Sequence, residues 1–154
     1  MKIDLKSLRP VALADRTLFE SKLAEQPSQS CECSFANLFM YQQPYGIDFV
    51  EADGRLIVYE HASRTIYPIG RWTPPEELRA VSDAFVAAGL TDGGIYDVPE
   101  EFLDRHPDCD RFFELEYDEG AIDYLYSIEK IATFSGPKLR KKHNLVKQFQ
   151  TNWS

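Results

Sequence analysis

An α+β fold, with helices packed on a mostly antiparallel sheet, is predicted by three observations. Helical periodicity comes first, over 15–23 and 34–41; β-rich runs crowd into 46–69; a strongly marked helix over 73–88 and a last strand-loop-helix over 111–149 follow. Asp53-Gly54 lies between two of the β-rich runs and supplies the positive φ of a hairpin turn, which makes those strands antiparallel. With 154 residues, 44% of them hydrophobic, the chain suits one domain over 1–154 with a core of its own.

Residues 1–8 alternate Ile3, Leu5 and Leu8 imperfectly with charged positions, the pattern of an edge strand ending at Arg9-Pro10. Asp15 is placed to cap a helix through Leu23 that buries Leu18, Phe19 and Leu23. Residues 26–30 break the chain. Ser34 caps an aromatic-rich helix over 35–41 in which Phe35, Leu38 and Phe39 share a face, and aromatics at that spacing read as core. Strands follow over 46–51, 55–61 and 65–69. Tyr59, His61 and Tyr67 carry polar tips on that sheet, where half-buried positions are commoner than ligand contacts.

Thr73-Pro74-Pro75-Glu76 combines a capping-box pair with prolines that fit a first helical turn. Its helix runs to Ala88 with Leu78, Val81, Phe85 and Ala88 inward and Gly89 as the stop. A short strand near 95–98, a brief helix from Pro99 to His106-Pro107, a strand over 111–117, a turn at 118–120 and a returning strand over 121–127 complete the run.

The net charge of −8 favours solubility and, taken alone, argues against a nucleic-acid or anionic-membrane binder. That average hides an asymmetry: residues 130–154 hold six Lys/Arg and no acid, directly after eleven acids between Asp97 and Asp123. Three cysteines without an export signal point to reduced thiols. Cys31-Glu32-Cys33 and His106-Pro107-Asp108-Cys109 supply four zinc ligands on paper, but Cys-x-Cys is an imperfect spacing and nothing joins the halves, so no metal is expected. Pairing Cys109 or a serine with His61 or His106 as nucleophile and base has no support from spacing. The chain has no stretch near the roughly 20 apolar residues of a membrane span and no signal core, which leads to an expected cytoplasmic location.

One constellation carries a mechanism. An aromatic strand, Asp123-Tyr124-Leu125-Tyr126-Ser127, leads through a connector into Ser135-Gly136-Pro137 and a basic helix. Ser135 is the expected N-cap; Leu139, Val146 and Phe149 fall near one face, and Lys138, Arg140, Lys141, Lys142 and Lys147 cover much of the rest. Free N–H groups at a helix start, reinforced by these cations, hold an anion. Tyr124 and Tyr126, two apart on a strand, project to one face and line the neighbouring cleft. Phosphate of a nucleotide, of a tRNA end or of a lipid headgroup fits equally, since a phosphate contact gives affinity without identity. A plainly solvated helix face fits the charge pattern as well.

These residues also carry a resemblance. The Asp123–Ser127 and Ser135–Phe149 stretches resemble the pattern Asp-Tyr-x-Tyr, Ser-Gly-Lys-Lys, Lys-Lys-Arg-Asn, Phe of the phosphatidylglycerol lysyltransferase C-terminal domain family. Ser34-Phe35-Ala36-Asn37-Leu38-Phe39 with Tyr41 is similar to that family's early helix, and the likeness extends over nearly the whole chain. Pro137 stands where the family has lysine, and His143 where it has arginine.

The resemblance implies two tandem acetyltransferase-like (GNAT) lobes and transfer of an aminoacyl group from charged tRNA to a lipid headgroup. This chain looks like the first lobe, its basic helix ending five residues before Ser154. It implies further that a second GNAT-like lobe or a homodimer completes the site, with aminoacyl-tRNA or anionic phospholipid as partner. In that reading Lys138, Arg140, Lys141 and Lys142 hold a phosphate at Ser135 and Gly136, and Tyr124, Tyr126 and Asn144 shape the cleft; no residue is singled out as base or oxyanion donor. No Arg/Gln-x-x-Gly-x-Gly/Ala acyl-CoA loop occurs, and no cofactor is expected. A non-catalytic anion-binding or interaction module on the same scaffold is the alternative.

Overall fold

Leu56-Ile57-Val58-Tyr59 is apolar at every position, as a strand covered on both faces must be. The computed structural model, which describes residues 3–26, 30–117, 119–121 and 126–153, places this run at the centre of a four-stranded sheet. The chain divides into two compact units, Met1–Tyr117 and Asp118–Ser154.

In the first unit β1 (Arg9–Pro10), β2 (Ile47–Ala52), β3 (Arg55–Glu60) and β4 (Thr65–Ile69) lie side by side in chain order, each antiparallel to the next. The period-two pleat sorts their side chains. Ile47, Phe49, Leu56, Val58, Tyr67 and Ile69 face α1 (Arg16–Glu25) and α2 (Phe35–Tyr45), whose Phe19, Phe35 and Leu38 fill that side. Val50, Ala52, Ile57, Tyr59 and Ile66 face Val81 and Phe85 of α3 (Pro75–Ala87). Phe19 is fully buried, with its ring 4.9 Å from Phe49 edge-on and 5.9 Å from Phe35. A smaller cluster joins Leu78 to Phe102 of α4 (Glu100–Arg105) and to Cys109. The fold is thus α+β, an open antiparallel sheet with helices, compatible with a GNAT-like lobe.

Several local expectations hold. Ser34 Oγ accepts the Asn37 N–H at 3.3 Å and caps α2. Asp53 and Gly54, at φ 49° and 78°, form the hairpin turn, with Ala52 opposite Arg55. Gly89, at φ 72°, ends α3, and its N–H donates to the Val86 carbonyl.

Others change. Residues 5–7 form a 3-10 turn closed by Asp4, so the edge strand shrinks to Arg9–Pro10, where proline's missing N–H costs no ladder bond. The Asp15 carboxylate does not cap α1; it accepts from Arg9 and the Ala12 N–H instead. Pro74 takes the N-cap position of α3, and the buried Thr73 hydroxyl has no hydrogen-bond partner, so no capping box forms. Ala88 is exposed. The strand expected at 95–98 reduces to one parallel bridge between Ile95 and Ile66. Residues 111–117 form no strand; Cys109–Arg111 is a 3-10 turn and irregular backbone follows. Most of the returning strand expected over 121–127 lies outside the described residues, and Tyr126 and Ser127 are not in a strand.

The second unit contains α5 (Ile128–Thr133), capped by Ser127 Oγ, and α6 (Arg140–Trp153), preceded by a 3-10 turn at Pro137–Leu139. The connector expected between strand and basic helix is therefore itself partly helical.

Candidate functional site

Phe134 in the left-handed region at φ 47° ends α5, and Gly136 at φ 97° turns the chain into Pro137–Leu139 and α6. A glycine suits that turn because L side chains rarely adopt such a φ. Around the turn Thr133, Phe134, Ser135, Gly136, Pro137, Arg140 and His143 line a cleft of about 450 Å³.

Of the residues singled out from the sequence, Ser135, Gly136 and Arg140 meet in this cleft. Ser135 does so without capping: Gly136 holds the N-cap position of the 3-10 turn, with no side-chain cap bond. Lys138, Lys141, Lys142 and Asn144 are exposed on the same segment, outside the cleft lining. Tyr126 is exposed just before α5, and Tyr124 lies outside the described residues. Sequence reasoning passed over His143 as a lining residue. Its signal was the spacing of Pro137, Arg140 and His143, three apart each time, which stacks them along one side of a helical segment.

The electrostatics of this segment are one-sided. The first turn of α6 has no acid and opens with Arg140-Lys141-Lys142, the reverse of what a helix macrodipole prefers. Lys138 and Lys142, four apart, add like-charge repulsion. Among the described residues of this unit no carboxylate pairs with these cations.

Other chemistry-bearing residues of the first unit have structural roles. The Tyr59 hydroxyl donates to the Leu90 carbonyl at 2.6 Å, and His61 Nε2 lies 2.8 Å from Asp48 Oδ2. Burial, then Asp108 and Asp110, push the Cys109 thiol up, the opposite of an activated nucleophile, while the His106 ring packs on Phe102 at 4.7 Å. Among the described residues no three His, Cys, Asp or Glu converge as metal ligands, and no helix is long and apolar enough to cross a membrane.

Residues 24–153 match the family model described as phosphatidylglycerol lysyltransferase, C-terminal. The chain matches no curated protein and no solved structure.

Proposed function

Since the chain belongs to the phosphatidylglycerol lysyltransferase C-terminal family, a transferase-like family, we propose that it is a GNAT-like aminoacyl- or acyltransferase lobe over 1–154 that binds the phosphate of its donor or acceptor at the start of α6. The phosphate belongs to a charged tRNA or to an anionic phospholipid headgroup. The observation that carries this reading is the meeting of Ser135, Gly136 and Arg140 in one cleft, with Lys138, Lys141 and Lys142 beside it and no acid in the first turn of the helix. Tyr124, Tyr126 and Asn144 belong to the same substrate surface in this reading.

Acyl transfer from an ester to a hydroxyl needs a base for the attacking hydroxyl and donors for the oxyanion. Within the cleft lining the one imidazole is that of His143. The remaining groups come, in this proposal, from a second GNAT-like lobe or a second copy of the chain. The alternative, a non-catalytic anion-binding module, draws support from one observation: among residues 119–120 and 126–152 none is buried, whereas acyl transfer benefits from excluding water.

The experiment is charge reversal. Lys141→Glu with Lys142→Glu is expected to abolish binding of tRNA and of phosphatidylglycerol vesicles at fixed salt, with the fold intact by circular dichroism. Unchanged binding removes the anion site; binding lost without any effect on transfer in a completed enzyme selects the module.

A further inference from the structure

Met1–Tyr117 contains a second cleft, also about 450 Å³, with a different chemistry. It is built where α2 turns into β2. Gly46, in the left-handed region at φ 66°, caps α2 and sends the chain straight into Ile47, and the strand register sets Ile47 opposite Glu60. Leu38, Tyr41 and Tyr45 recur at three- and four-residue spacing on α2, so one face of the helix meets that strand end. Leu38 and Ile47 are buried and make an apolar floor. Tyr41 and Tyr45 stand half exposed, rings edge to face at 5.5 Å. Cys31, Glu32, Asn37 and Glu60 complete the lining; the Cys31 thiol donates to Glu32 Oε1 at 3.9 Å, and neither glutamate has an ion-pair partner among the described residues.

We propose that this cleft binds a small aliphatic ammonium ion, its charged head at Glu32 and Glu60 against the tyrosine rings and its alkyl stem over Leu38 and Ile47. Each component selects for that class. Two uncompensated carboxylates repel anions and give a neutral ligand nothing to neutralise. Tyrosine faces attract a cation through their quadrupole, and more strongly the less water they share with it. An apolar floor rewards a hydrocarbon stem and gives a bare metal ion nothing; among the described residues no three His, Cys, Asp or Glu converge as metal ligands. Negative potential on this side of the sheet is also felt by the buried Tyr67: burial pushes its hydroxyl up, and Cys33, Glu60, Glu32 and Asp97 push it further. Its lining belongs wholly to the first unit and that of the proposed phosphate cleft wholly to the second.

The cleft has a built-in reporter. Cys31 lines it and is exposed, whereas Cys33 and Cys109 are buried. The test titrates the full chain with 1,5-diaminopentane by calorimetry and follows Cys31 alkylation by iodoacetamide with peptide mass spectrometry, at matched ionic strength and with glutathione as a rate standard. Saturable binding is expected, with Cys31 alkylation slowed several-fold over the same concentration range. Pentan-1-ol and added sodium chloride are expected to give no protection. Glu60→Gln, close to isosteric at a strand end, should weaken binding about tenfold, the scale of one charge-assisted hydrogen bond. No heat of binding at millimolar diamine overturns the proposal, as does equal protection by the alcohol or by salt. Binding that leaves Cys31 reactivity unchanged places the ligand elsewhere and overturns it too. If Glu60→Gln fails to fold, the comparison of diamine, alcohol and salt on the unsubstituted protein decides alone.

Discussion

The Arg9 guanidinium grips the Asp15 carboxylate at both ends, Nη1 donating to Oδ2 at 2.8 Å and Nη2 to Oδ1 at 2.6 Å, while lying 4.4 Å over the Phe49 ring. Asp15 is buried and also accepts the Ala12 N–H at 2.9 Å, so one carboxylate fastens the short edge strand to the start of α1. The Arg9 hydrogen bonds, opposed by burial and helped by Ala12, hold its pKa below the ordinary carboxylate value. A depressed acid contributes stability above its unfolded pKa of about 3.9 and loses it as pH falls through the lower folded value. Asp15→Asn is therefore expected to destabilise the protein by about 1–2 kcal/mol at neutral pH, the estimate reduced because Arg9 is half exposed. In urea unfolding the gap between variant and parent should close below about pH 4; a gap that stays constant down to low pH contradicts the assignment.

Phe19 is the hub of the larger core, touching Phe35 from α2 and Phe49 from β2 with no exposed surface. Truncation there removes the transfer free energy of the ring and leaves a cavity between two aromatic neighbours. Phe19→Ala is expected to cost about 3–5 kcal/mol in chemical denaturation. A loss below about 1 kcal/mol shows that the α1 side of the sheet is not packed as described.

Thr73 offers a test with the opposite sign. Its hydroxyl is buried with no hydrogen-bond partner, and a buried donor left unmade costs about 1–3 kcal/mol. Thr73→Val keeps the shape and removes that group, so thermal unfolding is expected to move up. A lower melting temperature means the hydroxyl is in fact bonded.

Much of the first unit was legible in the sequence for local reasons. Asp53-Gly54 dictated a turn whose positive φ values are observed, and the strand at Thr65–Ile69 agrees residue for residue with its apolar run. Ser34 fixed the start of α2 because an N-cap depends only on the residues just after it. Failures came where alternation alone was the evidence. Residues 111–117 alternate as a strand does, yet among the described residues no strand takes them up, and a strand without a ladder partner is not stable. Thr73-x-x-Glu76 has capping-box spacing, but Pro74 and Pro75 start the helix one residue later and strand the hydroxyl. The cleft at the turn into α6 was half legible. Its glycine turn and Arg140 follow from composition, whereas His143 enters only because a 3-10 turn extends the row Pro137, Arg140, His143. The cleft between α2 and β2 was not legible at all, since Glu60 joins the α2 residues only through the register that sets it opposite Ile47.

Gly136 tests the local geometry of the anion cleft. A Cβ there meets nothing within 4 Å, so the cost of Gly136→Ala is conformational, from φ 97°, and not a clash. That cost is about 1–3 kcal/mol. Weaker tRNA and vesicle binding is expected with the first unit unaffected in denaturation. Binding equal to the parent shows that the turn does not position the site.

The central claim, that α6 and the turn before it hold a phosphate-bearing ligand, is tested most directly by salt linkage. The association constant for tRNA is measured from 50 to 300 mM salt for the parent and for Lys141→Gln with Lys142→Gln, which removes two contacts without the repulsion of charge reversal. Each neutralised phosphate steepens the log–log slope by about 0.7–0.9, so removing two contacts should flatten it by about 1.4–1.8. Phosphatidylglycerol vesicles in place of tRNA should show the same loss of salt sensitivity if the headgroup is the ligand. Parallel slopes for parent and variant with both ligands contradict the claim.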